Sequence, residues 1–159
     1  MKLGLIVAIT VSAYCFSAHA QTRSVMVLNL GGARTVLRAA EASASKQNAP
    51  SAIAVVDSAG DLLTFERMEG VRPESVDLSI AKARTAARMR QPTQQLESNI
   101  NHGRTAFVTA GIMSLEGGTP IRMNGQIVGA VGVSGVHTED DITISETAAA
   151  SLSPTSGSR

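Results

Sequence analysis

The sequence predicts an α+β fold: a single domain in which an antiparallel sheet of about five strands is flanked by helices. Two hairpin signals carry that prediction. Asn124-Gly125 separates two strand-like runs, "IRM" and "QIVGAVGVSG", and is the strongest short hairpin signal a sequence offers. "SAGD" (58–61) separates "SAIAVVD" from "LLTFERM" in the same manner, so residues 51–68 form a second hairpin. Around these hairpins lie segments whose apolar residues recur at three- and four-residue steps, which is the helical period. Hairpins, rather than alternation of single strands and helices, imply antiparallel pairing.

The elements follow in order. Residues 1–20 read as a signal peptide: Lys2, the apolar run "LGLIVAITVSAYCF", then Ala18-His19-Ala20 as a small-x-small cleavage site before Gln21. The apolar run is short for a membrane span. Residues 21–152 are expected to form the domain, and 153–159, "SPTSGSR" with Leu152 before it, a disordered tail. Val27, Leu30, Ala33, Val36, Leu37, Ala40 and Ala44 mark the first helix, with Asn29 or Ser24 as N-cap and "NAP" as its end. After the first hairpin, "ESVDLSIAKARTAARMR" is expected to be a helix starting near Pro73. Val76, Ile80, Ala83 and Ala87 lie on one face of it, and Lys82, Arg84, Arg88 and Arg90 on others. "TQQLESNIN" reads as a short helix capped by Thr93. "HGRTAFVTAGIMSLEGGTP" is undecided between strand and loop. The second hairpin leads into "TEDDITISETAAASL", a helix with Thr138 as N-cap and Glu139, Asp140 and Asp141 in its first turn, opposite the positive end of the helix dipole. Asp141, three residues after Thr138, resembles a shortened capping box.

Composition excludes several function classes. Without residues 1–20 the chain keeps 13 Lys+Arg against 13 Asp+Glu, and loses its only Cys and only Tyr. Disulfides, thiolate metal sites and cysteine catalysis are therefore absent from the mature chain. A neutral chain with Phe65 and Phe107 as its only aromatics has no basic stripe for nucleic acid and, after signal cleavage, no membrane segment. About 139 residues make one ordinary core.

The glycine-rich stretch "NGQIVGAVGVSGVHTEDD" is not a phosphate loop. Gly129, Gly132 and Gly135 are three apart, no lysine follows, and no dinucleotide fingerprint can be drawn through them. Within a strand such glycines mark bulges or close approach of another backbone or a flat ligand. A metal site in "HTEDD" is disfavoured because neighbouring residues at a helix start point apart. "GVSGV" follows a hairpin, not the central strand a serine-nucleophile elbow requires. His102, in "NINHGRT", and His137 are the two histidines of the mature chain, each beside a glycine-rich loop. Either reads as a haem ligand, a general acid/base, or a solvated side chain. Arg67, Lys82 and Arg104 are candidate anchors for a ligand carboxylate.

Four pieces in order, "AVVDSAGDLLTFERMEG", "SIAKARTAARMRQPT", "EGGTPIRMNGQIVGAVGVSG" and "TEDD", resemble the GlcG/HbpS-like family, which includes the C-terminal domain of PduO-type proteins. They span nearly all of residues 25–152. The resemblance implies an antiparallel sheet flanked by helices, homo-oligomers up to octamers, and haem as a cofactor of several members. Exported members have been linked to haem sensing or scavenging, and others occur beside glycolate or cobalamin-dependent pathways. In some members a histidine of the first helix ligates haem, but "LNLGGARTVLRAAEASASKQN" has none, so His102 and His137 are substitute candidates. Thr119 occupies the "GGTP" turn in which the family implicates a threonine. "GVSGVH" stands where "GVSGGT" is more usual, placing a branched residue and an imidazole where small residues are expected.

The function expected on these grounds is a periplasmic or secreted haem- or tetrapyrrole-binding homo-oligomer, for haem sensing, storage or scavenging. Its iron would be met by His102 or His137, with Thr119 in the site and Arg67, Lys82 or Arg104 at the propionates. The alternative is an enzyme acting on a small organic acid or aromatic catabolite with a histidine acid/base and an arginine anchor.

Overall fold

A computed structural model describes residues 24–152. The signal peptide and tail expected at 1–20 and 153–159 lie outside the described residues.

Among the described residues, five helices and one four-stranded antiparallel sheet form the domain. In chain order they are α1 (Leu30–Lys46), β1 (Ala52–Asp57), β2 (Leu62–Arg67), α2 (Glu74–Met89), α3 (Thr93–Asn101), α4 (Ala106–Thr109), β3 (Gly118–Met123), β4 (Gln126–Ser134) and α5 (Thr138–Ala150). The strand order is β2-β1-β4-β3, so the two hairpins lie side by side and β1 pairs with β4 along Ala52–Ser134 to Asp57–Gly129. There are four strands rather than about five because "HGRTAFVTAGIMSLEG", undecided in sequence, becomes the single turn α4 and a loop.

The turns behave as their residues dictate. Asn124 and Gly125 have φ of 49° and 75°, the left-handed pair that a two-residue hairpin needs. In the first hairpin the Asp57 carboxylate accepts the Ala59 and Asp61 amides at 2.8 and 3.0 Å. Asn29, one of the two N-caps expected, caps α1: its Oδ1 accepts the Gly32 amide at 2.8 Å. Residues 24–28 before it are not helical, and the Leu28 amide donates to Val128 O on β4 at 3.1 Å, beyond the end of β1. Pro120 falls on β3, an edge strand, where its missing N–H is tolerated.

Two other caps differ from expectation. Thr93 is fully buried at the first position of α3, and its hydroxyl accepts the Gly118 amide at 2.9 Å, so it joins α3 to β3 instead of capping its own helix. His137, not Thr138, occupies the N-cap of α5, without a side-chain bond to the helix. Asp141 does reach back, as in a capping box, but to the Gly135 amide at 2.6 Å.

The alternation of the central strands splits the core in two. Ile53, Val55, Val131 and Val133 face α1 and α5, packing with Val36, Ala40 and Ile144. Ala54, Val56 and Ala130 face α2, packing with Ala83, Ala86 and Ala87. This second interface rotates α2 away from the face expected for it. Val76 and Ile80 are only half-buried, whereas Ser75, Ser79, Lys82, Ala83, Ala86 and Ala87 are buried. The cause is the sheet surface: Gly132, Ala54 and Ala130 leave room for α2 only if its own residues are small, so close packing overrides hydrophobic bulk.

Candidate functional site

The sequence-predicted residues fall in three places. Lys82 is 4% exposed. It projects from the buried face of α2 past the end of β4, donating from Nζ to Val133 O at 2.8 Å and to Asp141 Oδ2 at 2.8 Å. The expected placement of Lys82 away from the buried face of α2 is therefore corrected: it is buried, and its ammonium belongs to an ion pair. Asp141 supplies the other half, with Oδ2 on Lys82 and Oδ1 on the Gly135 amide. Burial pushes the Asp141 carboxyl above its ordinary value, and the Lys82 charge and the Gly135 amide oppose that rise.

A pocket of about 160 Å³ opens beside this pair, between α2, the β4–α5 link and the loop before β3. Arg72, Lys82, Ser134, Glu97 and Glu116 line it, and Val136 stands at its edge, 70% exposed. The valine in "GVSGVH" thus borders a pocket, while the neighbouring His137 is exposed and does not line it. The Glu116 amide donates to Glu97 Oε2 at 2.8 Å, which draws these two acids together. Partial burial, then the charges of Glu97 and Glu139, hold the Glu116 carboxyl above its ordinary 4.5, with Lys82 opposing. A raised folded-state pKa means stability that is present in acid and lost as pH rises through it. Glu116→Gln should therefore raise the melting temperature by about 1–3 °C at pH 7.5, a modest gain because solvent screens the group. The gain should disappear below pH 4.5, where the unfolded chain is protonated too. Differential scanning calorimetry across pH checks both sign and window.

A second concavity, open and apolar, has a volume of about 490 Å³. Ala81, Ile100, Val108, Ile112, Met113 and Leu115 form its walls, from α2, α3, α4 and the following loop. It adjoins the first, sharing Glu97 and Leu115. His102 follows Asn101, which lines this recess. The His102 ring is exposed at the C-cap of α3, with Nδ1 2.6 Å from Ser98 O. A carbonyl only accepts, so Nδ1 is the donor of this contact, and in the neutral ring the free lone pair is then on Nε2. Arg104 lies over the Phe107 ring at 4.9 Å to its centroid.

The remaining residues do not join either concavity. Thr119 Oγ1 is 2.8 Å from Ser145 Oγ, so it packs β3 on α5. Arg67 is exposed at the end of edge strand β2, in the row Arg67–Ala52–Ser134. Neither histidine shares a hydrogen bond with a carboxylate, and among the described residues no three His, Cys, Asp or Glu side chains are placed to hold a metal ion.

A three-layer α+β domain with a small polar pocket beside an apolar recess is the class these features define. The chain belongs to the family described as "Haem degrading protein HbpS-like", whose model matches residues 28–150. It is 44% identical over 113 residues to Protein GlcG of Escherichia coli K12, spanning 70% of this chain and 84% of that one. Among solved structures it is similar to a double mutant of Streptomyces reticuli HbpS, at 31% identity and a TM-score of 0.75, covering 92% of this chain and 98% of that one. It is also similar to the PduOC:heme complex, at 26% identity and a TM-score of 0.71, covering 80% and 96%.

Among the described residues no helix is long and apolar enough to cross a membrane.

Proposed function

We propose that this chain is an exported protein that binds haem or a related tetrapyrrole and acts as a homo-oligomer in haem sensing, storage or scavenging. The observation that carries this reading is the pairing of an apolar recess of ligand size with His102 beside it, its Nδ1–H held by a backbone carbonyl. About 300–1,000 Å³ is the usual range for a pocket that takes a drug-sized ligand, so the recess suits a ligand of that size and the 160 Å³ pocket does not. Histidines that ligate metals almost always give their other ring N–H to a carbonyl or carboxylate, which fixes the ring and makes Nε2 the ligand atom. Arg104, two residues on, would meet a propionate, because its guanidinium fork suits a carboxylate. Haem bound there would supply an iron centre; the protein's part is to provide Nε2, an apolar wall and a counter-charge. Membership of the HbpS-like family and likeness to a haem complex support the same reading.

The recess is open on one side, and Val108 and Leu115 are 62% and 47% exposed. A second copy covering them would complete the enclosure, which supports a homo-oligomer. Export rests on Lys2, the apolar run after it and Ala18-His19-Ala20.

Titrating hemin into the mature protein on a sizing column tests ligand and assembly together. The expected result is a saturable Soret shift co-eluting with an oligomer. His102→Ala should weaken binding roughly tenfold or more, by loss of a metal ligand, and His137→Ala should leave it unchanged. A shift unaltered by His102→Ala, or none at all, would remove the proposed ligation.

A further inference from the structure

The 160 Å³ pocket has polar chemistry that the fold itself does not use. Ser134 is 3% exposed, and its hydroxyl makes no hydrogen bond among the described residues. No side-chain polar atom sealed from solvent lacks a partner, so the Ser134 hydroxyl is reached from the pocket it lines. An ammonium has three N–H donors. Lys82 spends two, on Val133 O and Asp141 Oδ2, which leaves one at a wall of the same pocket. Arg72 adds a second cation to the lining. Glu97 and Glu116 place carboxylates in it, one of them fixed by the other's backbone amide. The lining is thus bipolar: spare donors from α2 and β4, acceptors from α3 and the loop before β3. Buried donors left without a partner are costly, and ordered water or a ligand ordinarily fills such a place.

We infer that this pocket binds a small carboxylic acid that also carries a hydrogen-bond donor, either an ammonium or a hydroxyl group. Its carboxylate meets the Lys82 ammonium and the Ser134 hydroxyl, and its donor group meets Glu97 or Glu116. The volume sets the size. At about 30 Å³ per water, 160 Å³ holds roughly five waters, and so a ligand of a few heavy atoms. The mouth sets a second limit, because Val136 and Leu115 stand at the rim as exposed apolar groups and favour a short aliphatic substituent over a charged one. The site shares Glu97 and Leu115 with the haem recess, but Arg72, Lys82 and Ser134 line this pocket and not the recess, so a change at Ser134 is separable from haem binding.

Three acids of nearly one size probe the pocket: L-alanine, L-lactate and propionate. The first two keep the carboxylate and offer an ammonium or a hydroxyl; propionate has no second donor. Isothermal titration on the mature protein should show saturable binding of L-alanine or L-lactate in the micromolar-to-millimolar range expected of so few atoms. The preference between those two decides which donor the glutamates select. Propionate should bind at least fivefold more weakly, and Ser134→Ala should weaken the preferred acid by a similar factor, as expected for one lost hydrogen bond. Because the Ser134 hydroxyl supports no bond within the fold, this variant should keep the wild-type melting temperature and hemin titration. No saturable binding of either acid, propionate binding as tightly as both, or unchanged affinity in a folded Ser134→Ala would overturn the inference.

Discussion

Lys82→Met is expected to destabilise the protein by about 3–5 kcal/mol at pH 8 and by much less near pH 4. The magnitude comes from what the substitution leaves behind. Asp141 is buried, with a side chain only 6% exposed, and among the described residues Lys82 is its cationic partner. Removing one member of a buried pair strands the other charge in a medium that solvates it poorly. The pH dependence comes from the way the stranded group can respond. Burial already raises the Asp141 carboxyl, and Lys82 is the larger of the influences that lower it. Without Lys82 the folded-state pKa rises further above the unfolded value of 3.8. A raised folded pKa gives stability that is complete in acid and lost as pH climbs through it, so the penalty grows from acid to alkaline conditions. The double variant Lys82→Met/Asp141→Asn removes both charges and keeps an oxygen for the Gly135 amide. It should lose the pH dependence and recover part of the stability. Urea unfolding at several pH values separates these outcomes; a penalty for Lys82→Met that is flat in pH would show that Asp141 is not the stranded charge.

This pair also shows where the sequence stops being legible. The local signals were sufficient for the hairpins, because Asn124-Gly125 and the Asp57 turn depend on residues within four positions of one another. The Asn29 cap is equally local. Lys82 and Asp141 are 59 residues apart, and each had a sound local explanation: a lysine among other basic residues of a helix, and an acid in a helix's first turn. Only the sheet brings them together, since β4 delivers the start of α5 to the middle of α2. Thr93 was misassigned for the same reason, because its partner, the Gly118 amide, is 25 positions away. One signal was present. Lys82 lies on the stripe of small residues Ser75, Ser79, Ala83 and Ala86, and a long cation on such a stripe is either out of place or paired. Of the ligand candidates, Lys82 lines the polar pocket and His102 is the chain neighbour of Asn101 in the recess wall, whereas Thr119 and Arg67 serve other surroundings.

The same stripe makes Gly132→Ala the second substitution with a large expected effect. Gly132 faces α2 from the middle of the sheet, paired with Ala54 on one side and Gly118 on the other. A methyl group there would collide with the Ser79 carbonyl oxygen and come within 2.5 Å of the Ala83 nitrogen and 3.0 Å of the Ala83 Cβ. Two of these are backbone atoms, so no rotamer change relieves the clash; α2 must move away from the sheet. Movement is costly because polar contacts tie the middle and C-terminal half of α2 to the sheet and its first hairpin. Arg84 and Arg88 hold the first hairpin through Gly60 O and Ala59 O at 3.2 and 2.8 Å, and Lys82 holds Val133 O. Overpacking of this kind costs about 3 kcal/mol or more when the obstruction is rigid. Movement of α2 would also carry Lys82 away from Asp141, so the loss should exceed that of an alanine placed at an open glycine such as Gly70, which has nothing within 4 Å of the new methyl. Gly70 has φ of 81° and so carries its own backbone strain, of about 1 kcal/mol, as the reference for a substitution without a clash. If thermal unfolding shows Gly132→Ala no less stable than Gly70→Ala, α2 does not rest on the sheet at the distance described. Smaller residues on the facing helix make the compensating test. Ala83→Gly removes the Ala83 Cβ but not the Ser79 carbonyl, so it should rescue Gly132→Ala only in part. Full rescue would place the contact on the side chain instead of the backbone.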